Sequence, residues 1–237
     1  MEVLAIGDPH GELPKNLDSI IKKNKIEVII CIGEVFPIQR GKGKGKVDLK
    51  TGEKVLTKIC SYQLPIILFK GNMFLSKRGA IYFKNLLKKY KKKYKNLEYK
   101  RLGKLKTKDT NFIIFDMTYE KHSHTYLPNY FTNERKNKKR LEKLNKLLKE
   151  NKNAILLSHA PPYGCLDKIH SGKHIGSKLL LEAIKKSYPK LVLCGHIHEA
   201  RGKAKIGKTV IYNIGSEGDY AVIDTNKNKI LASNFLK

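Results

Sequence analysis

Short apolar runs that alternate with amphipathic segments are the feature that most restricts the folds open to this chain. The runs are rich in Ile, Leu and Val and cover residues 2–6, 27–32, 65–69, 111–115, 154–158 and 190–194. Runs of this length are typical of strands buried in a sheet. Between them, apolar residues recur at intervals of three and four, as amphipathic helices require, in residues 13–25, 77–94, 133–151 and 175–187. The alternation predicts an α/β fold in which helices cover the sheets.

The remaining segments differ from this pattern. From residue 203 strands follow one another closely, separated by Gly, Asn and Asp, which predicts an antiparallel meander that closes a second sheet. We expect residues 40–54 to form an exposed loop, residues 117–132 a lid, and the Pro- and Gly-rich residues 160–176 a functional connection. With 237 residues, of which 41% are hydrophobic, we expect a single domain over residues 1–237.

The charge of the chain is strongly positive, with a formal net charge of +28. Clustered lysines attract phosphate groups, but here lysine is spread along the whole chain and arginine, the better bidentate phosphate ligand, is scarce. Nucleic acid is therefore a possible but not a favoured partner.

The four cysteines form no C-x-x-C pair. Because no cationic leader precedes an apolar stretch and no apolar run approaches 18 residues, we expect a cytoplasmic protein with no membrane partner.

Polar residues that suit metal ions follow five of the apolar runs directly. The carboxyl edge of an open α/β sheet is where such folds assemble their sites, and two neighbouring divalent cations require a mixture of imidazole and carboxylate ligands. The candidate ligands, in chain order, are Asp8, His10, Glu34, Asn72, His159, His196 and His198.

The order of these motifs resembles that of the calcineurin-like metallophosphoesterase superfamily. Its pattern of D-x-H, G-D, G-N, an isolated His and G-H-x-H extends here over residues 8–198, and residues 213–216 are similar to the Asn-Pro-Gly-Ser turn that commonly follows. Residues 158–164, Asp167, residues 174–177 and residues 194–199 resemble in particular the small prokaryotic, MPPED-like branch.

The resemblance implies a four-layer α/β sandwich of two mixed β-sheets flanked by helices. It implies that Asp8, His10 and His198 hold one divalent metal ion, that Asn72, His159 and His196 hold a second, and that Glu34 bridges them. The metals would be Mn, Fe, Zn or Ni, whose identity the ligands do not select. The implied activity is phosphoester hydrolysis by a metal-bridging hydroxide, with a phosphate-ester small molecule or a nucleotide as substrate.

Two departures from the family pattern bear on activity. Glu34 stands where the family has Asp, and Met73 stands where the family has the histidine that assists the leaving group. Loss of a positioned general acid matters least when the leaving group needs no proton, so we expect a phosphodiesterase of weak or selective activity. The alternatives are a catalytically inactive metal-binding or protein-interaction scaffold and a nuclease-like protein.

Four other histidines are candidates to replace the missing group. His122, His124 and His170 are isolated, whereas His174 lies in the branch-like H-x-G-S element and is the tentative catalytic residue. The alternative role for His174 is to cap the helix that begins near Gly176.

Overall fold

The computed structural model of the chain describes residues 1–38, 46–72, 74, 76–108, 110–116 and 134–236. Met73 and the expected lid at residues 117–132, with His122 and His124, lie outside these ranges. The helices within them are α1 (Leu17–Lys23), α2 (Leu49–Ser61), α3 (Lys77–Lys93), α4 (Glu134–Glu150) and α5 (Lys178–Ser187). The strands are β1 (Glu2–Ile6), β2 (Val28–Cys31), β3 (Ile66–Leu68), β4 (Leu97–Glu98), β5 (Leu102–Thr107), β6 (Thr110–Phe115), β7 (Ile155–Ser158), β8 (Leu191–Cys194), β9 (Gly202–Ile206), β10 (Thr209–Asn213), β11 (Tyr220–Asp224) and β12 (Lys229–Ser233).

The strands form two six-stranded sheets. The first has the order β12-β11-β1-β2-β3-β4, in which β1 to β4 are parallel and β11 and β12 are antiparallel to their neighbours. The second has the order β5-β6-β7-β8-β10-β9, in which β6, β7, β8 and β10 are parallel. Both sheets are therefore mixed.

Three apolar clusters stack these elements into four layers. Side chains of alternating strand positions from both sheets, such as Val3, Ile30 and Leu157, pack against one another in the central cluster. The opposite face of the first sheet packs against α1, α2 and α3, and the opposite face of the second packs against α4 and α5. The predicted four-layer α/β sandwich is confirmed.

Local signals in the sequence set the ends of α3. The Ser76 hydroxyl accepts a hydrogen bond from Gly79 N at 3.0 Å and begins the helix, and Lys91, Lys92 and Lys93 lie in its last turn. A hydroxyl at the first position satisfies an otherwise unpaired N–H, and cations at the last turn interact favourably with the helix dipole. The boundaries of this helix therefore follow from residues next to them in the chain.

The structure corrects two of the sequence-based expectations. The strands after residue 203 do not form one meander, because β9 and β10 join the second sheet while β11 pairs with β1 in the first. Residues 49–54, expected in an exposed loop, begin α2, since the Asp48 side chain accepts from Thr51 N at 3.0 Å and caps the helix. Gly52 in that helix packs closely against the Phe36 ring. A pattern of recurring large apolar residues does not reveal a helix that makes its contact through a glycine.

Among the described residues, no helix combines the length and the apolar character that crossing a bilayer would demand.

Candidate metal centre

The polar residues that follow the parallel strands meet at one edge of the packed sheets. The residues that follow strands of the first sheet are Asp8, His10, Glu34 and Asn72, and those that follow strands of the second are His159, His196 and His198. The backbone N–H of His196 donates to Asp8 Oδ2 at 2.6 Å and so joins the two sheets at this edge. The carboxyl ends of both sheets therefore face a common site, as in other α/β folds.

Six of these side chains form two groups with the spacing of metal ligands. Asp8, His10 and His198 make the first group, and Glu34, His159 and His196 make the second. In each group one potential ligand atom per residue lies within 4.8 Å of the others. The first group is the set that the resemblance assigns to one metal. The second differs from the assigned set in that Glu34, and not Asn72, accompanies His159 and His196. That either group binds metal stays a prediction.

Two buried carboxylates each reach both groups. Asp8 Oδ2 lies 3.6 Å from His198 Nε2, and Asp8 Oδ1 lies 3.5 Å from His159 Nδ1. Glu34 Oε1 lies 3.4 Å from His159 Nε2, and Glu34 Oε2 lies 3.7 Å from His10 Nε2. Because Glu34 is only 4% exposed, its longer side chain points inward to the site and not to solvent.

Asn72 lies directly against the Glu34 carboxylate. Its backbone N–H donates to Glu34 Oε1, and its side-chain amide, oriented with the NH₂ group toward Glu34, contacts both carboxylate oxygens. Gly71 permits this approach, since its φ of 65° is left-handed and a Cβ there would overlap Glu34 Oε1. The loop after β3 therefore acts on the second group by positioning the Glu34 carboxylate.

The electrostatics of the site favour a bound cation. Burial and the neighbouring His159 lower the pKa of His196 to about 4, so its neutral ring can offer a lone pair. Burial alone would lower the pKa of His159, but the charges of Glu34 and Asp8 raise it to about 9. In turn, despite burial, His159 lowers the pKa of Glu34 and of Asp8. The two carboxylates are thus ionised and attract positive charge.

Backbone conformation holds the first carboxylate in place. Asp8 Oδ1 accepts from Glu34 N at 2.8 Å, and the close approach of that chain depends on Gly33, whose φ is 114° and whose Cβ would overlap Asp8 Oδ1. His196 has a left-handed φ of 72°, which is uncommon for a residue with a side chain. Such strain is concentrated at functional sites.

The turn at residues 213–216 joins the site's loops. Asn213 Nδ2 donates to Ile197 O at 2.9 Å and to Leu166 O at 3.1 Å, while Gly215 O accepts from Asp8 N at 3.0 Å. One turn therefore fixes the loop between His196 and His198, the loop after β7 and the end of β1.

Asp116 is a site residue that the sequence reasoning missed. It follows β6, is completely buried, and accepts a hydrogen bond from Lys70 N at 2.9 Å through Oδ2. Burial raises its pKa to about 6, against the attraction of His159 and Lys70. The signal was available, since Asp116 directly follows the apolar run 111–115 in the way that the candidate ligands follow theirs.

The remaining histidines differ in their surroundings. His174 Nδ1 lies 2.6 Å from Asp167 Oδ1, and Ser177, not His174, caps α5 by accepting from Leu180 N at 3.1 Å. His170 is an exposed residue whose Nε2 lies 3.7 Å from Glu199 Oε1. The cap alternative for His174 is therefore wrong, and its catalytic role stays a prediction.

Comparison with known proteins shows the family to which the chain belongs. A family model described as metallophosphoesterase, calcineurin superfamily, matches residues 44–235. An uncharacterized protein of Methanocaldococcus jannaschii, MJ1162, is 29% identical over 99% of this chain and 97% of its own length. Among solved structures, TT1561 of Thermus thermophilus aligns with a TM-score of 0.65 at 16% identity, over 98% of this chain and 97% of that one. An archaeal phosphodiesterase aligns with a TM-score of 0.51 at 16% identity, over 97% of both chains. The chain belongs to the calcineurin superfamily of metallophosphoesterases.

Proposed function

We propose that this metallophosphoesterase is a phosphodiesterase that holds two divalent cations. The observation that carries the proposal is the pair of ionised carboxylates, Asp8 and Glu34, that each lie within 3.7 Å of imidazoles from both ligand groups. Two cations some 3.5–4 Å apart need shared ligands of this kind. The proposed ligands are Asp8, His10, Glu34, Asn72, His159, His196 and His198.

The donor set fits divalent transition metals. In the described part of the chain, neither ring nitrogen of the fully buried His159 has a hydrogen-bond partner, although buried polar atoms in folded proteins are nearly always paired. Imidazole and carboxylate together suit Mn, Fe, Zn and Ni. A cation beside His159 would displace the proton from one of its nitrogens and would take over the balance of the charges on Glu34 and Asp8.

The protein's own contribution is orientation and charge. Bound cations would supply Lewis-acid polarisation of a phosphoryl oxygen and activation of water. The backbone N–H groups of Glu34 and His196 orient Asp8, and the N–H of Asn72 orients Glu34. Diesters are the proposed substrates because Met73 replaces the family's histidine, so the leaving group has to depart without an acid at that position or take its proton from another group.

The test compares bis-p-nitrophenyl phosphate with p-nitrophenyl phosphate, with Mn²⁺, Fe²⁺, Zn²⁺ or Ni²⁺ added in turn. We expect faster hydrolysis of the diester and two bound metals by elemental analysis. Glu34→Gln should lower both, whereas Glu53→Gln, which removes an acid paired with Lys89 on the helical face, should lower neither. An inactive protein with fewer than two bound metals would instead indicate the scaffold function.

A nuclease-like activity is the second candidate, favoured by the net charge of +28. Neutralising phosphates with lysine makes binding fall steeply with salt. Retention on immobilised DNA should then decrease as salt rises, and a failure to bind DNA even at low salt would exclude this candidate.

A further inference from the structure

The connection between β7 and α5 contains a carboxylate and an imidazole that are held together. Asp167 is completely buried, and its Oδ1 lies 2.6 Å from His174 Nδ1. Its other oxygen, Oδ2, accepts from Gly164 N at 2.9 Å and from Gly176 N at 2.8 Å. The carboxylate is therefore fixed by the backbone of its own loop, and it fixes the ring in turn.

The imidazole of this pair is open to solvent on its other side. The His174 side chain is 41% exposed, and no described residue makes a hydrogen bond to its Nε2. The Tyr163 ring lies 6.0 Å away, and Lys178 Nζ lies over that ring at 5.2 Å. The imidazole thus has the Tyr163 ring near it, and Lys178 lies on that ring; an aromatic ring and a cation are groups that suit a phosphorylated organic ligand.

The loop is attached to the segment that carries His196 and His198. Asn213 bonds Leu166 O in the loop and Ile197 O between the two histidines. Four residues further along the loop, His170 N donates to Glu199 Oε1 at 3.1 Å, and Glu199 directly follows His198. The middle of the loop is therefore tied to the segment that carries His196 and His198, and His174 pairs with Lys168 between these two contacts.

A purely structural role does not account for the pair. Oδ2 alone holds both glycine N–H groups and so closes the loop, and Ser177 caps the helix that follows. The contact from Oδ1 to an exposed ring buries little surface. What it does is orient the His174 ring, as a carboxylate does for a catalytic histidine.

We propose that Asp167 and His174 form an acid pair that protonates the leaving oxygen of the diester, with His174 as the catalytic residue and Asp167 as its positioning residue. The inference rests on the proposed phosphodiesterase function. It assigns to this loop the role that the family's histidine at the position of Met73 would have.

The proposed reaction is an ordinary hydrolysis of the diester. A water oxygen forms the new bond to phosphorus and releases its proton to solvent, while the bond from phosphorus to the leaving oxygen breaks. The electron pair of the broken bond goes to the leaving oxygen, which takes the proton from His174 Nε2. The ring changes from imidazolium to neutral imidazole, with Nδ1–H still donating to Asp167, and it regains a proton from solvent.

The experiment compares two leaving groups in the metal-loaded protein. A nucleoside alkoxide, as in dithymidine monophosphate, needs a proton, whereas p-nitrophenolate from bis-p-nitrophenyl phosphate does not. His174→Gln should lower kcat on the dinucleotide by about 100-fold, within the usual range for a general acid, and change kcat on the nitrophenyl ester only slightly. His170→Gln, in the same loop but with its side chain directed to solvent, is the matched control and should affect neither substrate.

Asp167→Asn separates orientation from loop folding. Its amide oxygen can replace Oδ2 in accepting from both glycines, which places the NH₂ group against His174 Nδ1 and reverses the tautomer. Long-range ¹⁵N–¹H NMR spectra recorded at alkaline pH, where the imidazole is neutral and has a tautomer, should show Nδ1–H in the wild type and Nε2–H in Asp167→Asn, independent of activity. The variant should also show the loss on the dinucleotide alone.

Failure of the acid pair and failure of the phosphodiesterase function give different results in these experiments. An equal loss on both substrates, or no loss on the dinucleotide, would overturn the acid pair while leaving the phosphodiesterase function intact. An unchanged tautomer in Asp167→Asn would overturn the positioning role of Asp167. A wild-type protein that hydrolyses neither diester with any metal would refute the proposed function, and the acid pair with it.

Discussion

Replacing Asp116 with asparagine tests the electrostatics of the site apart from catalysis. Asp116 is completely buried, its Oδ2 accepts a hydrogen bond from the N–H of Lys70, and its Oδ1 has no hydrogen-bond partner among the described residues. An asparagine can keep that bond with its amide oxygen and fits the same volume. The substitution therefore removes a buried charge with little change in packing.

The expected effect depends on pH with a definite sign. Burial raises the pKa of Asp116 from its ordinary value of 3.8 to about 6, so the folded state holds this proton more tightly than the unfolded state does. The carboxyl destabilises the fold increasingly as pH rises from about 4 to about 6, and fully above that. Since one pKa unit corresponds to about 1.4 kcal/mol, the cost at pH 8 is at most about 3 kcal/mol.

Urea unfolding in EDTA measures this effect without bound metal. Asp116→Asn should be more stable than the wild type at pH 8, by up to about 3 kcal/mol, and nearly equal to it at pH 4. Asp224→Asn is the control of opposite sign: although burial opposes it, the N–H groups of Lys227 and Asn226 lower the pKa of Asp224, so its loss should destabilise at pH 8 more than at pH 4. A difference between Asp116→Asn and wild type that does not change with pH would refute the reasoning.

Four further substitutions have expected outcomes. His196→Ala should abolish activity and reduce metal content, measured by elemental analysis, because it removes a neutral imidazole from the second group; two retained metals would contradict its role. Met73→His should raise kcat on esters with alkoxide leaving groups, and no gain would mean that a missing acid at this position does not limit the rate. Gly33→Ala should lose metal and lower the free energy of unfolding by at least about 2 kcal/mol, since φ is left-handed and Asp8 blocks the Cβ. Gly164→Ala, whose Cβ meets nothing within 4 Å, should show the smaller cost of backbone strain alone in thermal unfolding.

Local sequence was sufficient to predict sheets covered by helices and the edge at which the site lies, whereas the four layers followed from the family resemblance. Apolar runs such as 27–32 and 154–158 have to be buried, and parallel strands end at one edge, so residues just after them, such as Glu34 and His159, come together wherever the strands pair. Asp116 obeys the same rule. It was missed because the family pattern has no ligand there, not because the sequence lacked the signal.

Contacts between distant parts of the chain were not predictable in this way. The sequence of β11 predicts one more strand of a meander, yet β11 pairs with β1 in the other sheet. A strand joins a sheet edge that other strands leave open, and that edge is formed by residues far away in the chain. The inward direction of Glu34 depends on the N–H of Asn72, which lies in the loop after β3.

The sequence by itself thus determined the α/β architecture, the family and the set of candidate ligands, because these depend on local periodicity and on residues adjacent to strands. Only the tertiary structure decided which carboxylates lie between the two ligand groups and that Asp167 holds His174. Those facts depend on side-chain directions set by turns, left-handed residues and bonds between loops, which no local pattern encodes.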